Sequence, residues 1–278
     1  MYDKDTATFT YIVVDEKTNN CAIIDSVLDF DFSSGKISYN SCKKIISYVQ
    51  ENSLKVEWIL ETHVHADHLT GASYLKEKLG GRIAIGAKIL NVLDYWVPVF
   101  NISDDTPIDG SQFDYLFQDE EIFTIGNLKV KVMHTPGHTP ACSCYLIEDS
   151  IFSGDTIFSP KMGTARTDFP GGSAEILYDS IKRILSLPES TKIFLGHDYP
   201  ETGFEPNFCV TVGEQKLNNI LINDKISKEN YVETRNKRDI GKAVPKLLYP
   251  SLQINLRAGK FGKTEQNGKN YIKIPIGI

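Results

Sequence analysis

Short apolar runs alternate along this chain with segments whose apolar residues recur every three or four positions. Residues 9–14 and 21–26 read as strands around a polar turn, Glu16-Lys17-Thr18-Asn19-Asn20. In residues 41–52, Cys42, Ile45, Ile46 and Val49 stand at i, i+3, i+4 and i+7. Lys43, Lys44, Ser47, Gln50 and Glu51 occupy the other face, which predicts an amphipathic helix. Residues 56–62 form an apolar run of strand length that ends at His63. Residues 73–79 read as a helix stopped by Gly80-Gly81, and 82–85 as another strand. Residues 98–120 carry Pro98, Pro107, Gly110 and many acids, which predicts a long surface loop or lid. Leu128–His134 sets Val130 and Val132 against Lys129 and Lys131, the period of a half-buried strand. Residues 144–148 and 150–154 read as a strand pair. Leu177, Ile181, Ile184 and Leu185 supply a second helical stripe, followed by a strand at 192–195. The tail has helical stretches around 209–222 and 230–240 and a final strand candidate at 271–276. No repeat, low-complexity tract or clean linker interrupts the pattern. The economical expectation is one α/β domain, 1–222, with a C-terminal extension, 223–278, packed on it.

Composition narrows the function classes. The 278 residues are 41% hydrophobic and 10% aromatic, too rich in core-forming side chains for a disordered chain. Thirty basic against thirty-six acidic residues give a net charge of −6, without the basic surplus of a phosphate-reading nucleic-acid binder. The five cysteines include no CxxC pair, which argues against a disulfide framework and for a reducing, cytoplasmic setting. Met1-Tyr2-Asp3-Lys4-Asp5 opens no targeting signal, and no apolar run is long enough to span a membrane. The expected partners are therefore small molecules, with a homodimer compatible with this composition.

The chemistry is concentrated in six histidines. His63-Val64-His65-Ala66-Asp67-His68 places four metal-capable side chains within six residues. Positions i and i+2 diverge by about 200° on a helix, so these side chains converge only where a strand runs into a tight loop. His138 closes Thr135-Pro136-Gly137-His138, Asp155 closes Ser153-Gly154-Asp155, and His197 closes Leu195-Gly196-His197. Each follows an apolar strand, where open α/β architectures keep their sites. Imidazoles with carboxylates suit Zn²⁺, Fe²⁺ or Mn²⁺, and the lack of clustered thiolates argues against a structural zinc. His134 lacks that setting and reads as structural. Cys142 and Cys144 follow the His138 loop, and buried, inert thiols are the more common fate of such residues.

The HxHxDH segment with the later His, Asp and His resembles the metallo-β-lactamase superfamily. That resemblance implies an αββα sandwich with a metal site at one edge. In two-metal members His63, His65 and His138 would hold one ion, Asp67, His68 and His197 the other, and Asp155 would bridge. The flanking residues point to a narrower group. Glu61-Thr62-His63 through Leu69-Thr70-Gly71, and Gly163-Thr164-Ala165-Arg166-Thr167-Asp168-Phe169-Pro170-Gly171-Gly172, resemble the persulfide dioxygenases, nearest to their bacterial β-lactamase-like hydrolase subgroup. The likeness extends to residues 10–11 and 21–25 at the start and to 250–253, 255–259 and 271–275 at the end. It implies one Fe²⁺ per chain, with Zn²⁺ as the alternative, held by His63, His138 and Asp155. It also implies oxidation of glutathione persulfide, or a related low-molecular-weight persulfide, by O₂ and water to sulfite and thiol, a step of sulfide detoxification. His65, Asp67, His68 and His197 then become pocket groups or ligands of a second metal. Tyr199 and Arg166 match substrate-contact positions, Arg166 being equally suited to an ion pair with Asp168. The family's cationic glutathione contacts beyond Tyr199 do not align cleanly, Lys216 being the nearest basic residue.

The principal rival is a binuclear thioester hydrolase of the glyoxalase II type, which shares HxHxDH and a glutathione-bearing substrate. A lactonase or β-lactamase leaves the Gly-Thr-Ala-Arg-Thr-Asp-Phe block unexplained. A nuclease of this superfamily would carry a large insertion between Asp155 and His197, which are only 42 positions apart. A non-catalytic sensor would be expected to have lost part of the constellation, and every ligand position is intact.

Overall fold

The computed structural model describes residues 1–277. They form two compact units, each assembled from separated stretches: 1–9, 117–124 and 128–243 in the first, and 10–116, 125–127 and 244–278 in the second. Among the described residues the helices are α1 (Asn40–Glu51), α2 (Ala72–Leu79), α3 (Ile89–Phe100), α4 (Ala174–Leu185), α5 (Val212–Asn218), α6 (Lys228–Asp239) and α7 (Leu248–Asn255).

The second unit is built on a five-stranded sheet in the order Tyr115–Phe117, Arg82–Gly86, Lys55–Leu60, Asn20–Ile24, Tyr11–Asp15. Lys55–Leu60 runs parallel to both neighbours, and its last three residues are buried, so the strand delivers residues 61–63 into the interior. Cys42, Ile45 and Val49 of α1 turn inward as their spacing predicts. α2 stops at Gly80 and Gly81, both at positive φ; a Cβ at Gly81 would meet a Val56 methyl at 2.9 Å.

The first unit carries a six-stranded sheet: Ile122–Ile125, Leu128–His134, Ser143–Ile147, Ser150–Phe152, Lys192–Phe194, Cys209–Thr211. From Leu128–His134 onward the neighbours are antiparallel except Ser150–Phe152 with Lys192–Phe194, a parallel pair joined through α4. Ser173 caps α4, its hydroxyl accepting the Ile176 N–H. Leu177, Ile181, Ile184 and Leu185 of α4 are buried in a core with Met133, Ile151, Ile193, Leu195 and Tyr231.

Four expectations are corrected. The strand expected at 9–14 is two strands, Thr8–Phe9 paired with Tyr2–Asp3 and Tyr11–Asp15 in the five-stranded sheet, broken at Thr10, whose hydroxyl donates to the Asp25 carbonyl. The stretch 98–120 is not one loop: its first residues are the last turn of α3, where a missing proline N–H costs a single bond, and it also holds the strand Tyr115–Phe117. Residues 209–222 open with a strand, and α5 starts only at Val212 behind a Thr211–Glu214 capping box. Residues 271–276 form no strand: Gln253 of α7 supplies their bonds instead, its Oε1 accepting the Lys273 N–H and its Nε2 donating to the Lys273 carbonyl.

Candidate metal centre

In the second unit, the end of strand Asn20–Ile24 supplies Asp25, which organises the histidine loop. Its carboxylate accepts the Thr62 N–H and the Thr62 hydroxyl, each at 2.8 Å. With its proton committed to Asp25, the Thr62 oxygen can only accept from His63 Nδ1, 3.0 Å away. That assignment makes His63 the Nδ1–H tautomer and leaves the lone pair on Nε2. His65 is held at Nε2 by Asp25 Oδ1 at 3.0 Å and Glu61 Oε2 at 3.4 Å, and Glu61 is itself gripped by the Thr70 hydroxyl at 2.5 Å. Nδ1 of His65 is buried and makes no hydrogen bond among the described residues. His68 donates Nδ1–H to the Leu69 carbonyl at 3.2 Å. The rings of His65 and His68 lie 4.1 Å apart, and His65, Asp67 and His68 each offer one ligand atom within 4.8 Å of the others.

The electrostatics of this half favour a cation. Burial opposes charge on His65, but Asp25 and Glu61 outweigh it and hold the imidazole well above its ordinary pKa. Burial pushes Glu61 up, while Asp25, also opposed by burial, is drawn down by His65 and the Thr62 bonds. A buried imidazole nitrogen without a partner, backed by two carboxylates, is filled by a proton or by a divalent metal. The donor set therefore fits a metal ion.

Sequence reasoning missed the group that fixes the loop backbone. Asn255, on α7, donates from Nδ2 to the carbonyls of His65 (2.9 Å) and His68 (2.8 Å), and its Oδ1 accepts the Thr70 N–H at 2.8 Å. An Asn more than 180 residues away carries no local signal. Asp25 and Glu61 were equally silent, because a carboxylate at a strand end reads as a turn residue.

In the first unit, three strand ends bring His138, Asp155 and His197 together, as their positions predict. His138 follows a turn in which Gly137, at φ +132°, lies against α4; a Cβ there would meet Leu177 N and Cα at 2.4 Å. His138 Nδ1 donates to the Arg166 carbonyl at 2.8 Å, which turns Nε2 toward Asp155 Oδ2 at 3.8 Å. His197 Nδ1 donates to the Ala7 carbonyl at 3.1 Å, which turns its Nε2 toward Asp155 Oδ1 at 3.3 Å. A Cβ at Gly196 would stand 2.9 Å from that same carboxylate oxygen, so only glycine leaves room for the approach.

The remaining candidates stand as follows. Arg166 forks onto Asp168 at 2.6 and 2.7 Å, and it also reaches the Ala243 carbonyl. Its head group is thus engaged in the ion pair weighed from the sequence. Tyr199 is 62% exposed and stacks beside His197 at 6.2 Å. His134 is structural, its Nε2 donating to the Phe117 carbonyl at 3.1 Å. Cys142 and Cys144 are buried against threonine hydroxyls, and burial pushes Cys142 up to about 12. No helix of the described residues is long and apolar enough to cross a membrane.

Comparison with known proteins places this geometry. A family profile described as the metallo-beta-lactamase superfamily matches residues 4–197. Glyoxylase B2 of Dictyostelium discoideum is 49% identical over 274 residues, 98% of this chain and 94% of that protein. The mitochondrial persulfide dioxygenase ETHE1 of Homo sapiens is 26% identical over 93% of this chain and 87% of its own length. The crystal structure of ETHE1 from Myxococcus xanthus superimposes with a TM-score of 0.75 at 26% identity, over 94% of this chain and 98% of that one.

Proposed function

The chain belongs to the metallo-beta-lactamase superfamily and has its mixed α/β, metal-binding fold, and within that family we propose that it is an iron-dependent persulfide dioxygenase. Its substrate is glutathione persulfide or a related low-molecular-weight persulfide, which O₂ and water convert to sulfite and the free thiol. The family resemblance implies that His63, His138 and Asp155 would hold the ion. When bound, a ferrous ion held by two imidazoles and one carboxylate would supply the redox chemistry that oxidation of a persulfide by O₂ requires.

The protein's own groups have defined tasks in this reading. Thr62 and the Arg166 carbonyl fix the tautomers of His63 and His138, so both present Nε2. His197, restrained by Ala7, stands beside Asp155 as a proton-handling group. Tyr199 offers an exposed ring to the thiol carrier, and Arg166, forked onto Asp168, is the second residue this reading assigns to substrate contact. One observation carries the reading: the Gly163–Gly172 block that resembles the dioxygenases contains the carbonyl that His138 bonds. The likeness to ETHE1 over 94% of the chain supports it. The test is metal analysis of anaerobically purified protein paired with an oxygen-electrode trace. One iron per chain and O₂ uptake on adding glutathione persulfide are expected; iron-loaded protein that consumes no O₂ with any persulfide overturns the assignment.

A second reading, a binuclear thioester hydrolase of the glyoxalase II type, is favoured by the preformed His65, Asp67 and His68 group and by the 49% identity to a protein named Glyoxylase B2. Two metals per chain and oxygen-independent cleavage of lactoylglutathione distinguish it.

A further inference from the structure

Helix α6 buries an ion pair that the proposed chemistry does not use. Arg235 is 2% exposed and Asp239 6%, and they pair at i, i+4 through the Nε and Nη2 donors on one edge of the guanidinium. A buried pair of this kind is often no more stabilising than apolar residues of equal volume, so its presence points to a task other than stability. The task is visible in what the pair touches. Arg235 Nη1 donates to the Thr164 carbonyl at 3.0 Å. Asp239 Oδ2 accepts the Thr167 N–H at 2.9 Å and the Thr167 hydroxyl at 3.2 Å, and Lys242 approaches Oδ1 at 3.2 Å. The Tyr231 hydroxyl, also on α6, bonds Thr164 Oγ1 at 2.9 Å. The helix therefore grips the loop on both sides of Arg166, the residue whose carbonyl receives His138 Nδ1–H.

We propose that Arg235 and Asp239 are positioning residues which, through the backbone of residues 164–167, set the Arg166 carbonyl and with it the orientation and tautomer of His138. The chain of contacts is short and each link is directional. Two charged groups fix the peptides at 164 and 167, the carbonyl between them has little freedom, and a donor at Nδ1 leaves Nε2 as the only ligand atom. This inference rests on the reading of His138 as a metal ligand.

Cobalt(II) titration of the apoprotein, followed by d–d absorption, tests it without turnover, alongside thermal unfolding of the same apoprotein. The double variant Arg235→Met/Asp239→Leu keeps the volume and removes the grip. Its unfolding temperature is expected to fall, because the Thr164 carbonyl and the Thr167 N–H lose their partners, and its cobalt affinity, measured where it is folded, to fall about 10- to 100-fold. The Nδ1–H proton resonance of His138 is expected to broaden in the same variant. Wild-type affinity in a folded double variant overturns the inference. Should the double variant not fold, Asp239→Asn takes its place, with affinity reduced at least about threefold expected and unchanged affinity overturning it. His138→Ala is the reference arm: if it binds cobalt as wild type does, the ligand reading of His138 is what fails.

Discussion

Asn255 commits both of its amide protons and a carbonyl lone pair to the backbone of the histidine loop. Removing it leaves two buried carbonyls and one N–H without partners, each costing about 1–3 kcal/mol. Asn255→Ala is expected to lower stability by about 3 kcal/mol in urea denaturation, and Asn255→Asp by more, since a carboxylate would face two carbonyl oxygens. Gly137→Ala is the backbone counterpart: its Cβ overlaps Leu177 of α4, so the variant is expected to lose at least about 2 kcal/mol and to bind metal poorly. Cys142, held as a thiol by burial, is expected to resist iodoacetamide at pH 7.5 in native protein, with peptide mass spectrometry as the readout. The candidate ligand positions stood out in the sequence because each interrupts an apolar run at a strand end. Their orienting partners were not, because Asp25, Arg166 and Asn255 act through contacts 28 to 190 positions distant.

At the scale of elements, the irregular stretch after α3 is tied to the end of α7. Asp105 accepts from Arg257 Nε at 3.0 Å and Nη2 at 2.8 Å and from the Lys263 N–H at 2.6 Å. Burial opposes its charge, but these donors prevail and hold the carboxyl below its usual range. Because the folded pKa is depressed, the bond's stabilisation is present in full above the ordinary aspartate value of about 3.9 and is lost as pH falls through the lower, folded value. Asp105→Asn is therefore expected to lower stability by about 1–2 kcal/mol at pH 7, with the gap to wild type closing at acid pH in parallel denaturation curves. Elements with one apolar face, α1 and α4, were read closely from spacing. α7 was missed for the opposite reason: Leu248, Pro250, Ser251, Leu252, Gln253, Ile254 and Asn255 are all buried, so no polar face sets a period. α3 shows a stripe, Ile89, Val92, Leu93, Val97 and Phe100, of which only the last turn, 98–100, lies in the stretch read as a loop. The strand expected at 271–276 failed because alternation marks a strand only where a sheet edge is available, and here the partner is one glutamine.

For the molecule as a whole, a bound metal adds to folding free energy by mass action. Chelation is expected to lower the unfolding temperature, the loss corresponding to about 2.7 kcal/mol when free metal stood at a hundred times its dissociation constant. Differential scanning calorimetry with and without EDTA checks this. The fold class was readable from the sequence because the order of elements and the family motif agree. The division into two interleaved units was not, since no change of composition marks the crossings at residues 9–10, 116–117, 124–125, 127–128 and 243–244. Interleaving has a consequence in time. The Ala7 carbonyl that restrains His197 and the Phe9 N–H that bonds the Gly196 carbonyl leave the ribosome about 190 residues before their partners exist. At 5–20 residues per second, the first strand pair waits roughly 10 to 40 s with Phe9 still bare. During synthesis, the residues that finish this part of the site are made long before the histidine they restrain.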